Sequence, residues 1–189
     1  MDGQARAVAS AFRDAMRRFA STVSIVTVWS NGERHGTTAT AVTSVSMDPP
    51  SMLVCINRDS RLHNHLVAGE RFCVNLLHVD NLQTSRLFAS PLSSADRFAC
   101  GDWRMDAASA PYLADAQANV FCIKDKMVEY GSHTIFIGRV VDVRMRSDVA
   151  PLLYQNGCYA ADAAVLPEPG GKMPAGARRS RTEPLEETS

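Results

Sequence analysis

The residues best suited to chemistry fall into three clusters. Residues 36–46 carry almost only small or hydroxylated side chains: Thr37, Thr38, Ala39, Thr40, Ala41, Thr43, Ser44 and Ser46 among them. Small side chains let a flat ligand approach the backbone, whose N–H and C=O groups are strong hydrogen-bonding partners. The same composition also suits a β-strand facing solvent, and both readings stand at this point. Asn57-Arg58-Asp59-Ser60-Arg61 follows a short apolar run. Asn57 and Ser60 offer neutral hydrogen bonds there, Arg58 and Arg61 offer charge, and a helix N-terminus adds free N–H groups. That combination suits an anion cradle as well as it suits a capped, solvated turn. His133 opens a β-type run behind Tyr130-Gly131-Ser132, where it fits a site residue or a surface turn.

Absent motifs narrow the chemistry. There is no G-x-G-x-x-G after a first strand and no G-x-x-x-x-G-K-[ST], so any dinucleotide is held without a Rossmann crossover. No G-x-S-x-G elbow occurs, which removes the α/β-hydrolase reading. His63-Asn64-His65 invites a metal reading. Residues two apart on a helix point to different faces, so the pair reads as two surface histidines and no metal is expected. The five cysteines, Cys55, Cys73, Cys100, Cys122 and Cys158, are spread singly with no C-x-x-C. Cys55, Cys73 and Cys122 sit in apolar runs and read as small buried hydrophobes.

The elements that must hold these clusters follow from periodicity. Val8, Phe12, Ala15, Met16 and Phe19 recur at helical spacing with arginines between, predicting an amphipathic helix over residues 4–20. Residues 23–30 read as a strand, and Asn31-Gly32 turns it into a hairpin. Residues 36–47 read as the next strand, stopped by Asp48-Pro49-Pro50. Residues 51–56 form a short strand, and a helix over 60–68 follows, capped by Ser60 and ended by Gly69. A strand over 72–77 and a helix over 80–89 precede a loop-like stretch, 90–111. Residues 119–130 and 133–146 read as two long strands. In the second, Ile135, Ile137, Val141, Val143 and Met145 alternate onto one face, with Arg139 interrupting at a sheet rim. A last short strand falls within 157–160. The class is mainly β with peripheral helices, an antiparallel barrel with helical decoration.

The 189 residues fit one domain over 1–165, and the shift to Pro, Gly, Arg and Glu beyond it reads as a disordered tail over 166–189. Formal net charge is zero, so no global field favours nucleic acid. No stretch approaches the roughly 18 apolar residues that span a bilayer, and residues 1–18 lack the apolar core of a secretory signal. The expected location is the cytoplasm.

Taken in order, several segments resemble the flavin reductase family, the small components of two-component flavin monooxygenases. They are residues 12–20, 23–27, 36–50, 57–60, 72–77, Asp96-Arg97-Phe98, 131–140 and 151–154. The resemblance spans residues 12–159 and implies a homodimeric, FMN-binding type of split β-barrel with flavin near the subunit interface. It implies that the backbone of residues 37–43 holds the isoalloxazine edge, with Ser44 close by. Cys55, Ile56, Asn57, Ser60 and Arg61 would line the ribityl and phosphate side, and Phe98 would approach the ring. His133 would lie by the nicotinamide as the catalytic residue, with Tyr154 and Gly157 holding NADH; NADPH is the alternative donor. The implied reaction reduces free FAD or FMN for a separate monooxygenase acting on aromatic compounds. A non-enzymatic flavin carrier on the same barrel is the alternative. Two departures stand out. Ser132 replaces the family's frequent aspartate before His133, and Gln155-Asn156-Gly157-Cys158-Tyr159 lacks a basic residue near the NADH phosphates.

Overall fold

The computed structural model describes residues 3–161. The chain begins with helix α1 (Gly3–Met16), then β1 (Ser21–Thr22), β2 (Ser24–Ser30), β3 (Glu33–Ala39), β4 (Val42–Met47) and β5 (Pro50–Asn57). Helix α2 (Arg61–Ala68) leads to β6 (Arg71–Leu76), a 3-10 turn at Val79–Asn81, and helices α3 (Leu82–Ala89) and α4 (Ser94–Arg97). Strands β7 (Trp103–Met105), β8 (Pro111–Leu113), β9 (Ala118–Tyr130), β10 (His133–Met145), β11 (Leu153–Gln155) and β12 (Cys158–Ala160) complete the order. The tail expected over residues 166–189 lies outside the described residues.

The main sheet has seven strands in the order β3-β2-β6-β9-β10-β5-β4. Its two edges, β3 and β4, are joined in the chain by Thr40 and Ala41 alone. A link that short curls the sheet until its two edges approach each other at Thr40-Ala41, which makes a split barrel, since β3 and β4 share no ladder. The stretch 36–47 is therefore two strands on opposite edges, not the single strand expected from composition. At this link the β4–β5 ladder runs one step further, Cys55 N–H donating to the Ala41 carbonyl at 2.9 Å.

Val26, Val28, Val54, Ile56, Phe72, Val74 and Phe136 fill the interior. Leu62 and Leu66 of α2 cover one end of it, Ser60 accepting from Leu62 N–H at the helix start. Gly69 ends α2 with an ordinary φ of −74°. Its lack of a side chain serves packing instead, since a Cβ there would lie 2.5 Å from Val28 Cγ2. A second cluster, with Ile25, Leu77, Phe88, Phe98 and Leu113, packs on the outside of the sheet. Burial pushes the Cys122 thiol up to about 12 and raises Cys73 well above its usual range. Cys55 is only half-buried.

Four further expectations are corrected. The predicted first helix stops at Met16 rather than running to residue 20, because Ser21 and Thr22 pair with Tyr154 and Leu153. The loop-like stretch 90–111 contains α4 and β7, whose Trp103–Met105 pairs with β8. In β10 a bulge inserts an extra residue between Val140 and Asp142, so both strand faces swap beyond it. Ile135 and Ile137 thus lie opposite the buried Phe136 face, while Val143 and Met145 return to the Val140 side. Arg139 sits inside a strand paired on both sides, not at a rim.

Candidate functional site

An edge strand presents backbone groups that the sheet leaves unpaired. In β3 alternate residues bond to β2, and the residues between them turn outward. Arg34 and Gly36 are outward: Ser94 Oγ donates to the Arg34 carbonyl and Arg97 Nη1 to the Gly36 carbonyl at 2.9 Å. By the same alternation Thr38 is next. Its outward N–H and C=O have no hydrogen bond among the described residues, and small neighbours flank it. Gly36 is fully packed, a Cβ there falling 2.7 Å from Phe88 Cε1.

Beyond Thr38 the edge runs into a groove of about 280 Å³. Thr40, Tyr154 and Gly157 line it with Phe12, Arg13, Met16 and Arg17 of the N-terminal segment. The groove walls are tied together by Asn156 N–H to the Arg17 carbonyl at 2.8 Å and by Gln155 Nε2 to the Arg18 carbonyl at 3.2 Å. Asn156 and Gly157 form the β11–β12 turn, with φ of 50° and 81°. Helix α1 contributes no buried residue to the protomer, and Phe12 is 61% exposed. Sequence reasoning missed α1 as a lining element, although its apolar stripe with interleaved arginines was visible. Arg13 and Arg17 supply the positive charge that the segment after Tyr154 lacks.

A second group lies at the far end of β5. Asn57 pairs directly with His133 in the ladder, and Ser60 N–H donates to the Asn57 carbonyl at 3.0 Å. Asn57 Oδ1 accepts from Asp59 N–H at 2.9 Å, and Arg58 N–H donates to the Ser132 carbonyl at 2.9 Å. These bonds bring Asn57, Ser60 and His133 side by side. Ser132 Oγ lies 2.9 Å from His133 Nδ1, so a hydroxyl takes the place of the expected carboxylate beside the ring. Arg58 is engaged with the Gly131 carbonyl at 2.6 Å and with Glu129, and Arg61 with the Leu92 carbonyl at 3.1 Å.

The remaining expected residues divide. Thr37 and Ala39 alternate with Thr38 on β3, while Ala41, Thr43 and Ser44 are exposed on or beside β4. Ile56 turns into the core and Cys55 outward, where burial raises its thiol. Phe98 is a core residue, 5% exposed, packed edge-on against Phe88 and Trp103 with the Arg34 guanidinium over its ring. Within the protomer it braces the 90–98 segment behind β3 and does not line the groove. His63 is likewise buried rather than at the surface, its Nε2 2.8 Å from Thr134 Oγ1. His65 points elsewhere and stacks on His35 with ring centroids 3.4 Å apart. Burial, then the charge of His65, lowers the His35 pKa. Among the described residues no three His, Cys, Asp or Glu side chains cluster as metal ligands.

Comparisons with known proteins identify the family of this fold. The flavin reductase like domain matches residues 16–161. The chain is 42% identical over 152 residues to the reductase component of the FADH(2)-dependent resorcinol hydroxylase of a Rhizobium species, covering 79% of this chain and 85% of that one. It is 39% identical over 149 residues to the FMN reductase (NADH) RutF of Pseudomonas syringae, covering 79% and 84%. Among solved structures, the NADH:FAD oxidoreductase SgcE6 of Streptomyces globisporus, in complex with NAD and FAD fragments, superposes with a TM-score of 0.75. Its sequence is 32% identical, covering 80% of this chain and 91% of that one.

Proposed function

Because the chain belongs to the flavin reductase family, we propose that it reduces FAD or FMN with NADH and releases the product to a separate flavin-dependent monooxygenase. The observation that carries this reading is the unpaired edge at Thr38 opening onto a groove bounded by Thr40, Tyr154, Arg13 and Arg17. Strand-edge donors and acceptors match the alternating polar rim of a flavin heterocycle, and the small side chains around them leave room for a flat ring.

When bound, the nicotinamide supplies a hydride and the flavin ring accepts it. The protein's own residues bind and orient. The Thr38 N–H and C=O hold the heterocycle edge, and a fixed N–H dipole there stabilises negative charge without reorganising. Arg13 and Arg17 hold the phosphates of the nicotinamide nucleotide, with Tyr154 and Gly157 as the facing wall. Asn57 and Ser60 accept the ribityl or phosphate side. His133, with Nδ1 facing Ser132 Oγ, positions or polarises and abstracts no proton. No general acid–base relay is needed, since stacking geometry supplies the advantage.

A second copy of the chain completes the site. Leu53, Cys55, Ile135, Ile137 and Val128 share one outward face by strand register. They are half-buried or exposed in a single protomer, which suits an interface. A groove of this volume also lies below the usual range of roughly 300–1,000 Å³ for small-molecule sites, as expected of half a site. The five cysteines without a C-x-x-C, and the NADH requirement, fit the cytoplasm.

The test is to incubate the protein with flavin and NADH under argon and separate it by gel filtration. Reduced flavin eluting apart from a dimeric protein supports the proposal. Flavin that stays oxidised and comigrates with the protein would instead indicate the carrier.

A further inference from the structure

The β3 edge is closed at two points by side chains, not by another strand. Ser94 Oγ covers the Arg34 carbonyl, and Arg97 Nη1 covers the Gly36 carbonyl at 2.9 Å. The same guanidinium reaches the Ser90 carbonyl through Nη2 at 2.6 Å, so one planar fork ties the edge strand to the 90–98 segment. Arg61 fastens that segment from the other side through the carbonyls of Pro91 and Leu92. Phe98 anchors it in the core against Phe88, the residue that packs on Gly36.

The clamp is held against opposing electrostatics. Arg97 Nε is buried with no hydrogen bond among the described residues. Burial, then the like charge of Arg61, disfavours the Arg97 cation. Gly36 is buried and packed on Phe88, so the guanidinium both satisfies its carbonyl and fixes the direction in which that carbonyl points.

We propose that Arg97 is a positioning residue for flavin, a role that rests on the flavin-reductase reading above. With Ser94 it fixes the outward row of β3 at Arg34 and Gly36. The next pair of backbone groups in that row, at Thr38, is thereby aimed at the ligand. Without the fork the Gly36 carbonyl turns to water, the edge frays, and Thr38 loses its direction while the nicotinamide side of the groove is untouched.

The experiment compares wild type, Arg97→Ala, Arg97→Lys and Ser94→Ala in steady-state kinetics and flavin-fluorescence titration. Arg104→Gln, whose guanidinium is paired with Asp102, serves as control. Loss of a charge-assisted bond predicts that Arg97→Ala raises both the flavin KM and the flavin Kd about tenfold. The NADH KM stays within about twofold of wild type, because its contacts are elsewhere. Arg97→Lys, which keeps the charge and loses the fork, recovers part of the loss, and Ser94→Ala shows a smaller rise. An Arg97→Ala variant with wild-type flavin KM and Kd overturns the role, as does an equal rise in both KM values. If Arg97→Ala does not fold, Arg97→Lys decides alone: a severalfold rise in flavin KM supports the role, and no rise overturns it. A wild type that neither binds flavin nor oxidises NADH overturns the flavin-reductase reading and this role with it.

Discussion

Asn75 and the α1 groove treat groups that need partners in opposite ways. Asn75 is fully buried between β2, β8 and β9, and both ends of its amide are used. Its Nδ2 donates to the Ile25 carbonyl at 2.8 Å and Thr27 Oγ1 at 3.1 Å, and its Oδ1 accepts from Leu113 N–H and Asn119 Nδ2. In the groove, Phe12 and Phe19 remain 61% and 62% exposed, Arg13 and Arg17 form no ion pair among the described residues, and Thr38 keeps an unpaired edge. The chain completes the first arrangement by itself; in the proposed reading the second is completed by ligand or a partner copy. Changes at the node should therefore lower stability, and changes at the groove and edge should alter kinetics with the fold intact.

The largest effect is expected at the node. Asn75→Leu strands the Leu113 N–H in the core and takes one partner each from Thr27 and Asn119, which keep the Pro111 and Leu113 carbonyls, and should lower unfolding free energy by about 3 kcal/mol. Urea denaturation reads this directly, and a loss under about 1 kcal/mol would break the contrast. Next, His133→Ala should slow flavin reduction by NADH about tenfold to hundredfold, with flavin Kd changed less than about threefold. Stopped-flow traces matching wild type would remove His133 from the mechanism. Replacing both Arg13 and Arg17 by Gln should raise the NADH KM about tenfold and leave urea stability and flavin KM near wild type. A change confined to flavin KM would reassign the two arginines.

The smallest effect concerns His35. Its folded pKa is lowered by burial and then by the charge of His65, so the unfolded chain binds the proton more readily. The stabilisation is full above the unfolded value of about 6.5 and is lost as pH falls through the lower folded value. His35→Gln should flatten the fall in melting temperature between about pH 7.5 and 5.5. An unchanged slope would show that the His35–His65 stack carries no pH dependence.

The sequence revealed most of the strands, and the physical reasons for the misses are specific. Asn31-Gly32 and the cap at Ser60 are local signals and were readable as such. The break at Thr40-Ala41 was not, because it arises from sheet closure between strands at opposite edges. The bulge after Val140 reverses a face without any change in composition. His63 was expected at the surface and is buried, because burial of a ring depends on what packs from distant segments, here Thr134 and Phe136. Arg13 and Arg17 lay in plain view on an amphipathic helix. Their neighbourhood with Tyr154 exists only once β1 pairs with β11. The polar cluster at Asn57 and His133 was legible as two pieces, joined by the β5–β10 register.

The most direct measurement is NADH consumption by the purified full-length protein, followed by nicotinamide absorbance with and without added FAD, FMN or riboflavin. The account predicts rapid oxidation that depends on added flavin, saturates with it and continues for many turnovers. Flavin binding by fluorescence without any NADH consumption would contradict it.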